Sequence, residues 1–152
     1  MRKTVKIGGK SVEMLCNAVT PILYKNMFNS DILRDLWACE KVVLTDPSLP
    51  EDVVAMMSDE QKEEYLTKLT EYEGKQLDLL ERMCEAVNRL AFTMNMQAQY
   101  ADKGEVIQLS GIGMDDYISW LSQFGTMDLT RASKEILGVY HADAKSTSKR
   151  KN

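Results

Sequence analysis

Apolar positions along the chain change their period several times, and each change marks an element. Val5 and Ile7 flank Lys6, Val12 and Met14 flank Glu13, and Gly8-Gly9 stands between the two runs. Alternation of this kind is the pattern of a half-buried strand, and Gly-Gly supplies the positive φ that a two-residue hairpin turn needs. Such a turn sets Ile7 opposite Lys10 and Val5 opposite Val12. Val5, Ile7, Val12 and Met14 then share one face of a hairpin spanning about residues 2–16, and that face must be covered, because a lone hairpin is marginal in water. No Walker pattern or GxGxxG follows the glycines, so a phosphate loop is the poorer reading.

From residue 20 the period lengthens to that of a helix. Thr20-Pro21 reads as N-cap and first helical residue, with Ile22, Leu23, Met27 and Phe28 as the apolar stripe. Ser30 is placed to cap a second helix entered by Asp31, whose buried face takes Ile32, Leu33, Leu36 and Trp37, with Val43 or Leu44 beyond. The prolines of Thr45-Asp46-Pro47-Ser48-Leu49-Pro50 break both helix and strand. The longest periodic stretch follows. Ser58-x-x-Gln61 forms a capping box, and Glu64–Lys68, Glu71–Lys75, Asp78–Arg82 and Glu85–Arg89 stand acid before base at i,i+4. Leu66, Leu69, Tyr72, Leu80, Met83, Val87, Leu90, Ala91, Met94 and Ala98 recur at steps of three and four. One helix from about Asp59 to Ala101 is expected, with Gly74 its weakest point. Beyond Cys84 the sequence turns apolar on several sides, which marks a central position in the fold. Residues 102–114 read as a turn-rich loop. Helix resumes at Asp115 with Ile118, Trp120, Leu121 and Phe124, stops at Gly125, and restarts at Asp128 with Leu129, Ala132, Ile136, Leu137 and Tyr140.

The fold class is therefore mainly α: a small helical domain over residues 1–144, with an N-terminal β-hairpin and one long central helix. A disordered basic tail over 145–152 completes it. The 152-residue chain suits a single core. No apolar run is long enough to span a bilayer, and Met1–Ile7 lacks the apolar core of a secretory signal. Three widely spaced cysteines (Cys16, Cys39, Cys84) with no CxxC fit free thiols in a reducing cytoplasm.

Charge sharpens this picture. The formal net charge of −4 hides segregation: residues 46–85 carry twelve acids against Lys62, Lys68, Lys75 and Arg82. Both ends are basic, through Arg2, Lys3, Lys6 and Lys10 and through Lys145, Lys149, Arg150 and Lys151. Such a tail reads as a solvated end rather than a nucleic-acid arm, since the chain is acidic as a whole. The 10 methionines match no metal spacing and suit core gaps or an adaptable contact surface. Met94 and Met96, two apart on a helix, cannot both face the core squarely.

Candidate chemistry is sparse. Adjacent acids such as Asp115-Asp116 and Glu63-Glu64 diverge on a helix, where caps and solvated faces explain them better than catalysis. Cys84 lies inside the long helix as a small apolar residue, and Cys16 and Cys39 have no activating neighbours in sequence. The one histidine, His141, falls near the expected end of the last helix, where a cation favours the dipole. No catalytic, cofactor or metal residues are assigned, and the chain is expected not to be an enzyme.

Three stretches resemble a known family. Gly8-Gly9-Lys10 within the hairpin precedes Ala18-x-Thr20-Pro21-x-x-Tyr24-Lys25-x-x-Phe28 and then Asp31-Ile32. Trp120-Leu121-Ser122-Gln123-Phe124 precedes Ile136-Leu137 and the lysine-rich Thr-Ser end, and Ala91-Phe92-Thr93-Met94-Asn95-Met96-Gln97-Ala98 is an apolar segment before a loop. In order and spacing these resemble the tail assembly chaperones of siphophages and Gram-positive prophages, over about half the chain. The acidic segment at 51–75 and the loop at 102–114 depart from that pattern. The resemblance implies a non-catalytic protein of the bacterial host cytoplasm, absent from the finished virion. It would bind the tape measure protein, keep it soluble and promote assembly of tail tube subunits around it. Contact with the tail tube protein would run through a longer, frameshifted form, with which the lysine-rich C-terminus is compatible. Neither nucleic acid nor membrane is an expected partner. The surface for a helical client is expected at Leu90, Phe92, Met94 and Met96, with Trp120 and Phe124 nearby; the competing reading makes Trp120 and Phe124 core. A small helical adaptor or regulator that binds a host or phage protein is the alternative function.

Overall fold

The computed structural model describes residues 1–40 and 42–148. Its elements are β1 (Arg2–Ile7), β2 (Lys10–Leu15), α1 (Thr20–Phe28), α2 (Ile32–Glu40), α3 (Glu51–Ala55), α4 (Asp59–Lys103), a 3-10 turn (Leu109–Gly111), α5 (Met114–Leu121) and α6 (Asp128–Ser148). The strands pair antiparallel with Ile7 opposite Lys10 and Val5 opposite Val12, as the two-residue turn requires. Gly8 and Gly9 both take positive φ, at 56° and 80°. A Cβ at Gly8 would also lie 2.1 Å from the Asp128 carboxylate, so the turn sits directly over the start of α6. The Val5–Ile7–Val12–Met14 face is buried, β2 against α4 and β1 against α6.

Helix α4 organises the rest. Ser58 accepts the Gln61 amide and the Gln61 side chain accepts the Ser58 amide, closing the box that starts the helix. Gly104 ends it in the left-handed region at φ 66°. The helix is continuous through Gly74. Its ten buried residues all lie between Ala86 and Ala98, where α1, α2, α5, α6 and the hairpin surround it. Of the four acid-to-base pairs, Glu64–Lys68 and Glu85–Arg89 close as ion pairs.

Several local expectations are corrected. Thr20 is the first residue of α1 rather than its cap: its hydroxyl accepts the Asn17 amide and donates to Gln97 in the core, and the Asn17 side chain accepts the Val19 amide. Asp31, not Ser30, caps α2 by accepting the Leu33 and Arg34 amides, which frees the Ser30 hydroxyl to bond Asp35. The buried side of α2 is Ile32, Leu36 and Cys39, at i, i+4 and i+7. Leu33 and Trp37 lie on the next stripe round and are exposed, as are Ile22 on α1 and Val43. Helix α6 runs to Ser148, so His141 stands well inside it and the first part of the expected tail, 145–148, is helical. Residues 149–152 lie outside the described residues.

Candidate functional site

Leu90, Phe92 and Met94 are fully buried, so in the folded chain they present nothing to a partner. The reason is geometric: at this depth α4 is enclosed on most sides, and apolarity around most of its circumference marks the axis of the core. Phe92 stands in an aromatic cluster with Phe28, Tyr117 and Trp120, whose ring centroids lie 6.3, 5.3 and 5.6 Å away. Trp120 is core, its indole N–H donating to Asn95 Oδ1 at 3.0 Å. Phe124 and Met96 are half-buried at the edge of that core, and Met96 is turned away from the position Met94 fills. The six residues thus form a core with a thin rim rather than an open surface.

Most polar groups in this core are engaged, the exceptions among the described residues being Asn88 Oδ1 and Arg89 Nε. Asn95 also donates to the Glu13 carbonyl, and Gln97 donates to Asn17 while accepting from Thr20. Tyr24 donates to Asp35 at 2.8 Å, and burial first, then that carboxylate, pushes the phenol well above its ordinary range. Burial also raises the Cys16 thiol, which keeps it protonated and unreactive. Arg34, Arg82 and Arg89 line a cleft of about 260 Å³ between α2 and α4. Its two carboxylates are occupied, Asp35 by Tyr24 and Ser30 and Glu85 by Arg89. Among the described residues no group of three His, Cys, Asp or Glu is placed to hold a metal ion, and no helix is long and apolar enough to cross a membrane.

The open apolar surface lies elsewhere. From Asp59 to Glu85, α4 carries no buried residue, an arm of about 40 Å at the helical rise per residue. Leu66, Leu77 and Leu80 are 61%, 62% and 54% exposed, values that core leucines never reach. With Leu69 and Glu73 they fall within an arc of about 80° on the helix surface. On one flank of this stripe the chain itself runs alongside, since Leu49 donates its amide to the Tyr65 hydroxyl at 3.0 Å and Val43, Leu44 and Pro47 line a cleft with Tyr72. At the inner end α6 takes over, with Leu129 and Thr130 against Leu80, Cys84 and Val87. The remaining flank is open. Sequence periodicity marked Leu66, Leu69 and Leu80 as apolar positions, but a covered stripe and an uncovered one have the same spacing.

Comparison with protein-family models, curated proteins and solved structures finds no match to this chain.

Proposed function

We propose that this chain is a non-catalytic tail assembly chaperone of the siphophage and prophage type, which binds the tape measure protein and keeps it soluble. The observation that carries the reading is the leucine stripe on the α4 arm, held out from a rigid root and left uncovered along one side. Exposed apolar stripes at helical spacing are what a helix-in-groove partner uses, and a long helix-rich client supplies many such segments. The client surface accordingly moves from the Leu90–Met96 segment to Leu66, Leu69, Leu77 and Leu80.

The magnitudes suit a transient holder. Full burial of a leucine side chain is worth about 2 kcal/mol, and only part of each is open here. Association costs of about 4–15 kcal/mol offset most of that sum, so binding is reversible rather than permanent. A chaperone that must release its client into a growing tail needs this. Within this reading the protein acts in the bacterial cytoplasm, and contact with tail tube subunits belongs to a longer frameshifted form.

The test is co-expression with the tape measure protein of the phage or prophage that carries this gene. The soluble fraction of the client rises with the wild-type chain and falls back with Leu66→Asp/Leu77→Asp/Leu80→Asp. A client equally soluble with and without the chain overturns the reading. The exposed Leu33–Trp37 pair on α2 favours the adaptor alternative. That alternative gains if Leu33→Asp/Trp37→Ala abolishes capture of a defined host or phage protein while client solubility is untouched.

A further inference from the structure

The geometry points to a basic amphipathic helix as the occupant of the open side of the α4 arm, its apolar face on Leu66, Leu69, Leu77 and Leu80 and its Lys or Arg residues against Glu63, Glu73 and Glu81. This rests on the client-holding reading above and adds the chemistry of the segment that is held.

Three observations converge. First, the bases of the arm are nearly all kept off the leucine stripe, whereas acids lie on both sides of the helix. At 100° per residue, Glu73 lies at the middle of the leucine stripe, with Glu63 and Glu81 along its open edge and Asp59 beyond them at the outer end. Lys68, Lys75 and Arg82 fall on the opposite side of the helix, and Lys62, at the outer end, is the one base within the stripe. The surface offered is therefore apolar with an acidic border. Second, the same face of α4 already takes a helix. Leu129 of α6 lines a small cavity together with Val87 and Leu80, and the Thr130 hydroxyl lies 3.6 Å from Cys84 Sγ. Outward of that point the face continues for about four turns, and among the described residues no element covers its Glu63–Glu81 edge. Third, the charges disfavour a second copy of this chain. An antiparallel pair centred on Glu73 would stack Leu66 on Leu80 and Leu69 on Leu77. It would also bring the two Glu73 carboxylates together at the centre and Glu63 of one copy beside Glu81 of the other. A parallel pair sets each acid near its own equivalent. Like charges at such an interface are unfavourable.

The experiment uses the full chain and two fluorescein-labelled synthetic peptides of 21 residues. Both carry leucine at heptad a and d positions; one has lysine at e and g, the other glutamate. Anisotropy titration is expected to show the lysine peptide binding about tenfold more tightly, the scale of a few exposed ion pairs, and losing that margin between 0.05 and 0.5 M salt. Glu63→Lys/Glu73→Lys/Glu81→Lys should invert the preference, and Leu66→Asp/Leu77→Asp should weaken both peptides without changing the unfolding midpoint. Equal affinities, or a preference that the three charge reversals leave unchanged, overturn the proposal. So does a concentration-dependent dimer that the leucine substitutions abolish, which assigns the stripe to a second copy. A tape measure protein whose solubility ignores the chain, alongside an intact lysine-peptide preference, overturns the client and leaves this site standing. Retained client solubility with no peptide preference overturns this site alone.

Discussion

The two ends of α4 are one helix with opposite environments. From Ala86 to Ala98 nearly every side chain is buried, polar ones included: Asn95 and Gln97 bond across to other elements, and Thr93 bonds back to the Arg89 carbonyl. From Asp59 to Glu85 none is buried, and charged side chains outnumber apolar ones. Continuity of the backbone carries the position of the first end into the second, so the root fixes where the arm points. The contrast teaches that hydrophobic residues on a single helix can have separate tasks: those at the root hold the fold, and those on the arm remain available. Sequence periodicity alone assigns them to one stripe.

The sharpest way to break this contrast is to truncate one apolar side chain in each half. Phe92→Ala removes the centre of the aromatic cluster and should cost about 3–5 kcal/mol, read from the urea unfolding midpoint. Leu77→Ala on the arm should stay within about 0.5 kcal/mol. Comparable losses at the two positions would show that the arm is packed like the root. Next in size is Asn95→Ala. It leaves the Trp120 indole N–H and the Glu13 carbonyl without their partner, an expected loss of about 2 kcal/mol. Trp120 fluorescence should change together with the midpoint, because the same side chain fixes the indole.

Alkaline pH probes the root from another side. Burial against the aromatic cluster pushes the Tyr117 phenol from 10.0 up to about 12, and Tyr24 is raised as well. The fold thus favours the neutral phenol. Its contribution is fully present below pH 10 and is lost as pH rises towards about 12, because the unfolded chain ionises first. For Tyr117 the loss is of order 2 kcal/mol. Tyr117→Phe should flatten the fall of the urea midpoint between pH 10 and 12, and an unchanged slope would contradict the burial of that hydroxyl.

Much of the root was legible beforehand. The Gly8-Gly9 turn sets the hairpin register, because only one pairing buries Val5, Ile7, Val12 and Met14 together. Ser58, Gln61 and the ordered charge pairs mark the start and length of α4, and the thinning of charge past Cys84 marks where it enters the core. What escaped the sequence was decided by tertiary contact. Thr20 and Ser30 both have a hydroxyl suited to capping, yet Gln97 and Asp35 claim those hydroxyls, and Asn17 and Asp31 serve the helix starts. Leu33–Trp37 and Ile32–Leu36 have the same i,i+4 spacing, and packing against α4 chooses the second pair. Leu90, Phe92 and Met94 were expected at a surface because they are soft and apolar. The enclosing elements that bury them come from distant parts of the chain. The candidate site was therefore visible only as a leucine period, not as an exposed one.

The smallest effect expected is also the most informative about how the two halves are joined. Gly74 lies mid-arm, and a Cβ there meets nothing within 4 Å. Alanine should favour the helix by about 0.5–1 kcal/mol over glycine. If the arm opened only with the whole fold, Gly74→Ala would raise the urea midpoint. The arm contacts little beyond the 42–57 segment that flanks it, so its opening is expected to be local. Amide exchange across residues 65–82 should then slow about threefold to fivefold while the urea midpoint and exchange at the root stay fixed. A raised midpoint would show instead that arm and root melt as one unit. A docked helix would protect the same arm amides, so the variant also measures how much of that protection comes from ordering the arm.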